Sequence, residues 1–468
     1  MRAVIIGAGI SGLATAFFLR HMADRNGIDL QLTVLEKDSR TGGKIHSIRD
    51  AGYLCEWGPN GFLDGKPATL ELCRDLEISG ALQRSNDNAR RRFIYSQEEL
   101  HWVPENAAAF CRTRLISWPG KLRIAMETLV PAERGGEDET LADFCRRRLG
   151  PQALEKLIGP MVSGIFAGDP ERMSLKSCFP RIHQLEVEYG GLIRAMLRLA
   201  ARHRCERRAG KAVAGAGGPA GVLTSFAGGI QELTDRLEKV LGGAVETGTG
   251  VTALRPLRDG FELQLDNGSQ LEAQLVVCAV PAFHFATMVE GFDREAAHLL
   301  RGIPYAALQV CCLGFRREDL NRDLNGFGYL VPQVEKLDVL GTLWDSSIFP
   351  NRAPDDRVLL RSMLGGATRP DVGEWDEEQV RERTLAALAK TMKLQAEPEF
   401  VRVFPHREAI PQYVTGHGRR LRMLQERTGR YPGFFFTGNA FYGIGLNDCV
   451  AAANRVAEQA FGFVRRSS

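Results

Sequence analysis

Residues 2–12 read RAVIIGAGISG, and residues 30–36 read LQLTVLE. The run over 2–6 is mostly apolar and β-branched, which predicts a strand buried on both faces. Gly7, Gly9 and Gly12 then fall at G-x-G-x-x-G spacing, and Ile10, Leu13, Ala14, Phe17 and Phe18 continue at helical spacing. A second strand over 30–36 ends on Glu36, completing one βαβ unit. In this context each glycine has a physical role. Gly7 makes a tight turn, Gly9 lets a pyrophosphate approach the backbone, and Gly12 lets helix and strand pack closely. The helix start at Gly7, Ala8, Gly9, Ile10, Ser11 and Gly12 offers free N–H groups to phosphate. Glu36 is placed to accept hydrogen bonds from an adenosine ribose, with Lys37 beside it. The unit predicts a dinucleotide site and an α/β fold.

The rest of the chain is globular in character. Its 468 residues are too many for one ordinary domain, and 44% hydrophobic with 25% charged residues excludes disorder. A formal charge of +3 gives no support to nucleic-acid binding. Ten cysteines stand singly except Cys311-Cys312, and no C-x-x-C occurs, so zinc and thioredoxin-type chemistry are not expected. If the run around Cys311 and Cys312 is a strand, the two thiols face opposite ways and are buried and reduced. The apolar start resembles a signal peptide only until its glycines are read, and no later stretch is long and apolar enough to span a membrane.

From about residue 95 to 210 the chain turns rich in Arg and Leu at helical spacing. The glycine-rich stretch 210–221 (GKAVAGAGGPAG) predicts a loop. Strand patterns return at AVETGTGVTALRPL, FELQLDN and QLVVCAV, and residues 305–365 predict a meander. Residues 376–394 predict an amphipathic helix. The chain then closes on strand, glycine-rich turn and helix, with Asn447 or Asp448 a natural N-cap.

Three further segments favour a flavin over a nicotinamide cofactor. Arg40-Thr41-Gly42-Gly43-Lys44 resembles the segment that follows the βαβ unit in amine-oxidase-like flavoproteins, where the glycines admit close approach and the two cations offset phosphate charge. Gly58, Pro59, Asn60 and Gly61 resemble that superfamily's loop beneath the flavin ring. Ile444, Gly445 and Leu446 open the last helix, whose positive end would face the flavin pyrimidine. Val251 matches the position that contacts the adenine side. The resemblance implies non-covalent FAD.

Within this superfamily the chain resembles the protoporphyrinogen oxidases from end to end. GPNGFLDG (58–65), RRRFIYSQEELHWVP (90–104), VSGIFAGDPERMSLKSCFP (162–180), GFGYLVP (326–332), LGTLWDSSIFPNRAP (340–354), MLGGATRP (363–370), IPQYVTGH (410–417) and GNAFYGIGLNDC (438–449) carry the likeness. It implies a discontinuous Rossmann-like FAD domain (1–80 with 222–290 and 405–468), a mixed-sheet substrate domain (81–94 with 291–404) and a helical lobe (95–221). It also implies the six-electron oxidation of a porphyrinogen, with oxygen or another acceptor taking the electrons. Arg92 would bind a propionate, Leu330 and Leu343 would sandwich the ring, and Met363 would lie near the reacting carbon. No residue is assigned as a catalytic acid or base, and no metal is expected. His406 stands where a relative carries Trp.

Coproporphyrinogen III oxidation is the nearest alternative, and Arg92 leans against it. An amine oxidase, a carotenoid desaturase or a non-catalytic FAD-binding protein stand further off. The expected location is cytoplasmic, with the lobe resting peripherally on the inner face of the membrane. That expectation comes from 112–130, where Trp118, Leu122, Ile124, Met126, Leu129 and Val130 stand beside Arg112, Arg114, Lys121 and Arg123. Pro119 suits a helix start there. Oligomeric state stays open, a homodimer included.

Overall fold

The computed structural model describes residues 1–133, 138–208 and 221–467. The strands of its two main sheets are, in chain order, β1 (Arg2–Ile6), β2 (Gln31–Leu35), β3 (Arg92–Ser96), β4 (Glu99–Trp102), β5 (Val245–Glu246), β6 (Leu275–Cys278), β7 (Tyr305–Arg316), β8 (Gly328–Leu330), β9 (Val339–Leu343), β10 (Arg357–Gly365), β11 (Phe400–Pro411) and β12 (Phe434–Phe436). The helices that matter to the site are α1 (Ile10–Arg25), α2 (Trp118–Ala125), α3 (Leu141–Arg148), α4 (Gly159–Phe166), α5 (Leu192–Arg208), α6 (Gln231–Leu241), α7 (Glu377–Met392), α8 (His417–Thr428) and α9 (Leu446–Ser467).

The first sheet runs β5-β2-β1-β6-β12, all parallel. Its strands are apolar on both faces because both are covered. Ala3 and Ile5 of β1 pack under α1, α6 and α9, whereas Val4 and Ile6 join a second cluster with Leu254, Phe261 and Phe285. The strands come from the two ends and the middle of the chain, so this unit is assembled from distant segments.

The second sheet runs β11-β7-β10-β9-β8-β3-β4, antiparallel except where β8 meets β3. Period-two alternation splits its residues between two cores. Cys311, Leu313, Tyr329 and Leu360 face α7, which begins with a capping box at Asp376 and Gln379. Val310, Cys312, Leu359 and Met363 face the segment around Tyr53 and Cys55 of the first unit. Cys311 and Cys312 are therefore buried free thiols on opposite faces. The expected meander over 305–365 and the helix over 376–394 are both present.

Helices α2 to α5 form the Arg- and Leu-rich region. Arg148 is fully buried there and pairs with Glu127 and Glu186. Breaking one arm of such a buried pair costs about 3–5 kcal/mol, so this polar knot fixes how the helices meet. The expected loop at 210–221 lies almost wholly outside the described residues. Among the described residues no helix is long and apolar enough to cross a membrane.

One expectation about a helix end is corrected. Helix α9 starts at Leu446, so Asn447 and Asp448 sit in its first turn and neither is the N-cap. Asn447 instead donates to the Leu63 carbonyl at 2.9 Å, and Asp448 pairs with Lys66. Tertiary partners claimed both side chains, and glycine at 445 leaves the helix start open.

Candidate active site

The glycine loop after β1 behaves as its spacing requires. Gly7 has φ +99°, a left-handed geometry that glycine adopts without strain. A Cβ on Gly12 would stand 1.8 Å from the Gly7 carbonyl oxygen, so helix and turn touch directly. A Cβ on Gly9 would meet nothing within 4 Å, leaving its outer side open. Helix α1 has no side-chain cap and no acidic residue in its first turn, so the N–H groups around Ile10 and Ser11 keep their positive potential. Glu36 is buried at the end of β2. One of its oxygens accepts from the Ala8 N–H at 2.7 Å and the other from the Asp38 N–H at 3.1 Å. Residues 248–249 pair with the backbone of 36–38, which brings Val251 beside Glu36 and Lys37. The Lys37 ammonium lies 3.1 Å from Nε2 of His284.

The segment 40–44 folds against the glycine loop, with the Gly42 N–H donating to the Ala8 carbonyl. Gly43 lies close enough that a Cβ there would stand 3.3 Å from the Gly9 Cα. The two cations take roles other than the expected offset of phosphate charge. Arg40 donates to the carbonyls of Thr41, Gly43 and Ile45 and lies over the Trp57 ring at 4.8 Å. Lys44 donates to the carbonyls of Glu408 and Ala409. Burial pulls its pKa down to about 8, with Glu408 opposing. Both side chains are drawn to backbone oxygens left without partners by the tight turns around them.

The loop 56–61 is gripped from the second sheet. Arg361 Nη1 donates to the carbonyls of Glu56 at 3.1 Å and Gly58 at 2.9 Å. His406 Nε2 lies 3.0 Å from the Trp57 carbonyl, and burial pushes its pKa down to about 4, so the ring is neutral. Asn60 Nδ2 donates to Asp345 at 3.1 Å. Gly58 and Gly61 are demanded by packing, since a Cβ would come within 2.3 Å of the Lys44 carbonyl oxygen and 2.4 Å of the Thr224 one. The turn 443–446 completes the enclosure. The Gly443 N–H donates to the Tyr413 hydroxyl at 2.9 Å, Ile444 packs against the helical region, and Leu446 enters the core under α1.

The register of the second sheet brings Arg92, Leu330, Leu343 and Met363 to one face. Gly328 pairs with Arg92 on one side and Leu343 on the other, Leu330 pairs with Gly341, and Gly341 pairs with Met363. Side chains of directly paired residues point the same way. Arg92 is solvent-accessible at the edge of this face, 5.2 Å from the Phe327 ring, and desolvation lowers its pKa while Glu105 opposes. Leu330 packs against Gly164 of α4, where a Cβ would stand 2.6 Å from its Cδ2.

A profile of flavin-containing amine oxidoreductases matches residues 10–460. The chain belongs to that family. A flavin held by a dinucleotide-binding βαβ unit is FAD, and the chain is an FAD-dependent oxidoreductase. It is 31% identical to coproporphyrinogen III oxidase of Bacillus subtilis (strain 168), over 98% of each chain. It is 30% identical to the chloroplastic protoporphyrinogen oxidase of Oryza sativa subsp. japonica, over 97% of this chain and 87% of that one. The fold matches a crystal structure provisionally named a protoporphyrinogen oxidase, from Exiguobacterium sp. 255-15, with TM-score 0.82, 26% identity and 98% of each chain covered.

The residues present fit the FAD of this family of oxidoreductases. Gly9 leaves an open approach and the start of α1 is uncapped. Trp57 Nε1, Asn60 Oδ1 and Asn447 Oδ1 are buried without a hydrogen-bond partner among the described residues. Among the described residues no cluster of His, Cys, Asp or Glu is placed to hold a metal. Sequence reading missed Arg361, Asp345 and Tyr413. A lone arginine inside the apolar strand RVLLRSMLG is the signal that would have found Arg361, because a charge at a strand-core position needs a buried partner.

Proposed function

We propose that this enzyme oxidises protoporphyrinogen IX to protoporphyrin IX in porphyrin biosynthesis, with oxygen as electron acceptor. The observation that carries this reading is the single sheet face that holds Arg92, Leu330, Leu343 and Met363 against the loop 56–61. An apolar macrocycle with carboxylate arms needs apolar walls and a cation at the rim, and this face supplies both. FAD, when bound, supplies the two-electron acceptor. The chain's own residues orient: Arg92 takes a propionate, Leu330 and Leu343 hold the ring, and Met363 lies near the reacting carbon. The neutral His406 is committed to the Trp57 carbonyl, so it is not offered as a base.

Coproporphyrinogen III is the second reading, favoured by the 31% identity to the Bacillus subtilis enzyme. Porphyrin fluorescence with purified enzyme and each porphyrinogen in turn separates the two. Faster turnover of protoporphyrinogen is expected; a clear preference for coproporphyrinogen would replace the first reading with the second.

We further propose the three-part domain division given above, and that the helical region rests on a membrane surface without spanning it. Trp118, Leu122, Met126 and Leu129 are 72%, 64%, 45% and 73% exposed and recur at helical spacing. Met196 and Leu197 of α5 are 62% and 65% exposed nearby. Of the four cations expected beside this stripe, Lys121 and Arg123 turn inward. Lys121 donates to the carbonyls of Cys111 and Thr113, and Arg123 to those at the end of α3. Exposed main-chain oxygens at helix and turn ends attract them away from solvent. Arg112 and Arg114 remain exposed.

A further inference from the structure

Asp345, Arg361 and Asn60 form a buried polar unit at the junction of the flavin loop and the substrate sheet. Their exposures are 0%, 2% and 8%. Arg361 Nε lies 2.9 Å from Asp345 Oδ2, which leaves Asp345 Oδ1 for the Asn60 amide at 3.1 Å. A carboxylate paired with a buried guanidinium is ionised and can only accept hydrogen bonds. The Asn60 NH2 must therefore face Asp345, and its Oδ1 must face the other way. That oxygen is buried and has no partner among the described residues. An orphaned buried acceptor is costly, so a donor on a bound molecule is the expected partner.

The location says which molecule. Arg361 stands opposite Leu343 in the sheet, Leu343 opposite Gly328, and Gly328 opposite Arg92. Arg92 and Arg361 thus end one row that crosses the sheet over three strand spacings, about 14 Å. Asn60 is tied to the end of that row away from Arg92, and Met363 is two residues further along β10.

We propose that Asp345, clamped by Arg361, is a positioning residue that fixes the Asn60 carboxamide with its oxygen toward the substrate, where it accepts a pyrrole N–H of the porphyrinogen. This rests on the porphyrinogen reading above. A porphyrinogen carries N–H on every pyrrole, whereas the oxidised porphyrin keeps it on only half. A fixed acceptor therefore matches substrate better than product. An asparagine free to turn would present its NH2 half of the time and lose that preference.

The test uses purified holoenzyme variants with matched flavin content. Asn60→Ala and Asp345→Asn should each lower kcat/KM for protoporphyrinogen about 2- to 13-fold, the worth of one neutral hydrogen bond. The double variant should be no worse than Asn60→Ala alone, because Asp345 acts through Asn60. Asp345→Asn leaves a buried guanidinium unpaired; if it does not fold, Asp345→Asn with Arg361→Met removes both charges and serves in its place. Losses that multiply in the double variant, or an Asp345 variant with wild-type kcat/KM, would overturn the proposal. A shifted flavin spectrum or lower FAD retention in Asn60→Ala with kcat/KM unchanged would assign the acceptor to a flavin N–H and overturn the pyrrole assignment. Wild-type enzyme without porphyrinogen turnover would remove the functional reading and this one together; active wild type with unaffected variants would remove this one alone.

Discussion

Arg92 and Arg90 differ in ways that a run of three arginines conceals. Arg92 opens β3 on the face shared with Leu330 and Leu343, whereas Arg90 is exposed and lies near Asp87. Arg92→Ala should raise KM about 10- to 150-fold, the worth of a charge-assisted hydrogen bond of roughly 1.5–3 kcal/mol, with FAD content unchanged. Arg90→Ala should change KM far less, and steady-state kinetics on both variants checks the pair; equal effects would mean that neither reaches substrate. Gly12→Ala tests the cofactor loop. Its Cβ would meet a backbone oxygen at 1.8 Å, which no side-chain rotation relieves. Protein that purifies colourless or with much lower Tm is expected, whereas full flavin content would contradict the packing argument. At this scale the glycines were legible because each answers a local backbone requirement. Lys44 and Asn447 were not, because carbonyls far away in sequence, at Glu408 and Leu63, decide where those side chains go.

Elements with a clear period were read well: β1, α1, β2 and α7 all lie where apolar spacing and caps put them. The stretch 112–130 shows where period alone stops. Its apolar residues do form an exposed stripe over α2 and the turn that follows, yet half of its cations serve as internal caps. The proposed membrane contact therefore depends more on Trp118, Leu122 and Leu129 than on charge. Liposome flotation should show binding to both neutral and anionic vesicles, stronger with anionic lipid. Trp118→Ser with Leu122→Ser and Leu129→Ser should abolish it while turnover of a detergent-dispersed substrate persists. No flotation of the wild type at low salt would rule the contact out. The face that collects Arg92, Leu330, Leu343 and Met363 was not derivable from pattern, since it requires the pairing of β3 with β8, more than two hundred residues apart in sequence.

The whole molecule couples its parts through buried polar contacts. The flavin loop is held by Arg361, Asp345 and His406 from the substrate sheet, and the last helix by Leu63 and Lys66 from the first unit. Burial pushes His406 and His417 down to about 4 from 6.5. The unfolded chain then binds protons that the native state refuses, so their contribution is complete above about pH 6.5 and is lost as pH falls toward 4. Tm should fall through that window, and His417→Gln should flatten the fall; a Tm flat from pH 6.5 to 4.5 would contradict it. The central claim, a flavoenzyme that takes electrons from a porphyrinogen, is tested most directly without oxygen. Protoporphyrinogen added anaerobically to the yellow enzyme should bleach the flavin band while porphyrin fluorescence rises, and admitting air should restore the band. Flavin that keeps its colour with excess protoporphyrinogen and with excess coproporphyrinogen would contradict the account.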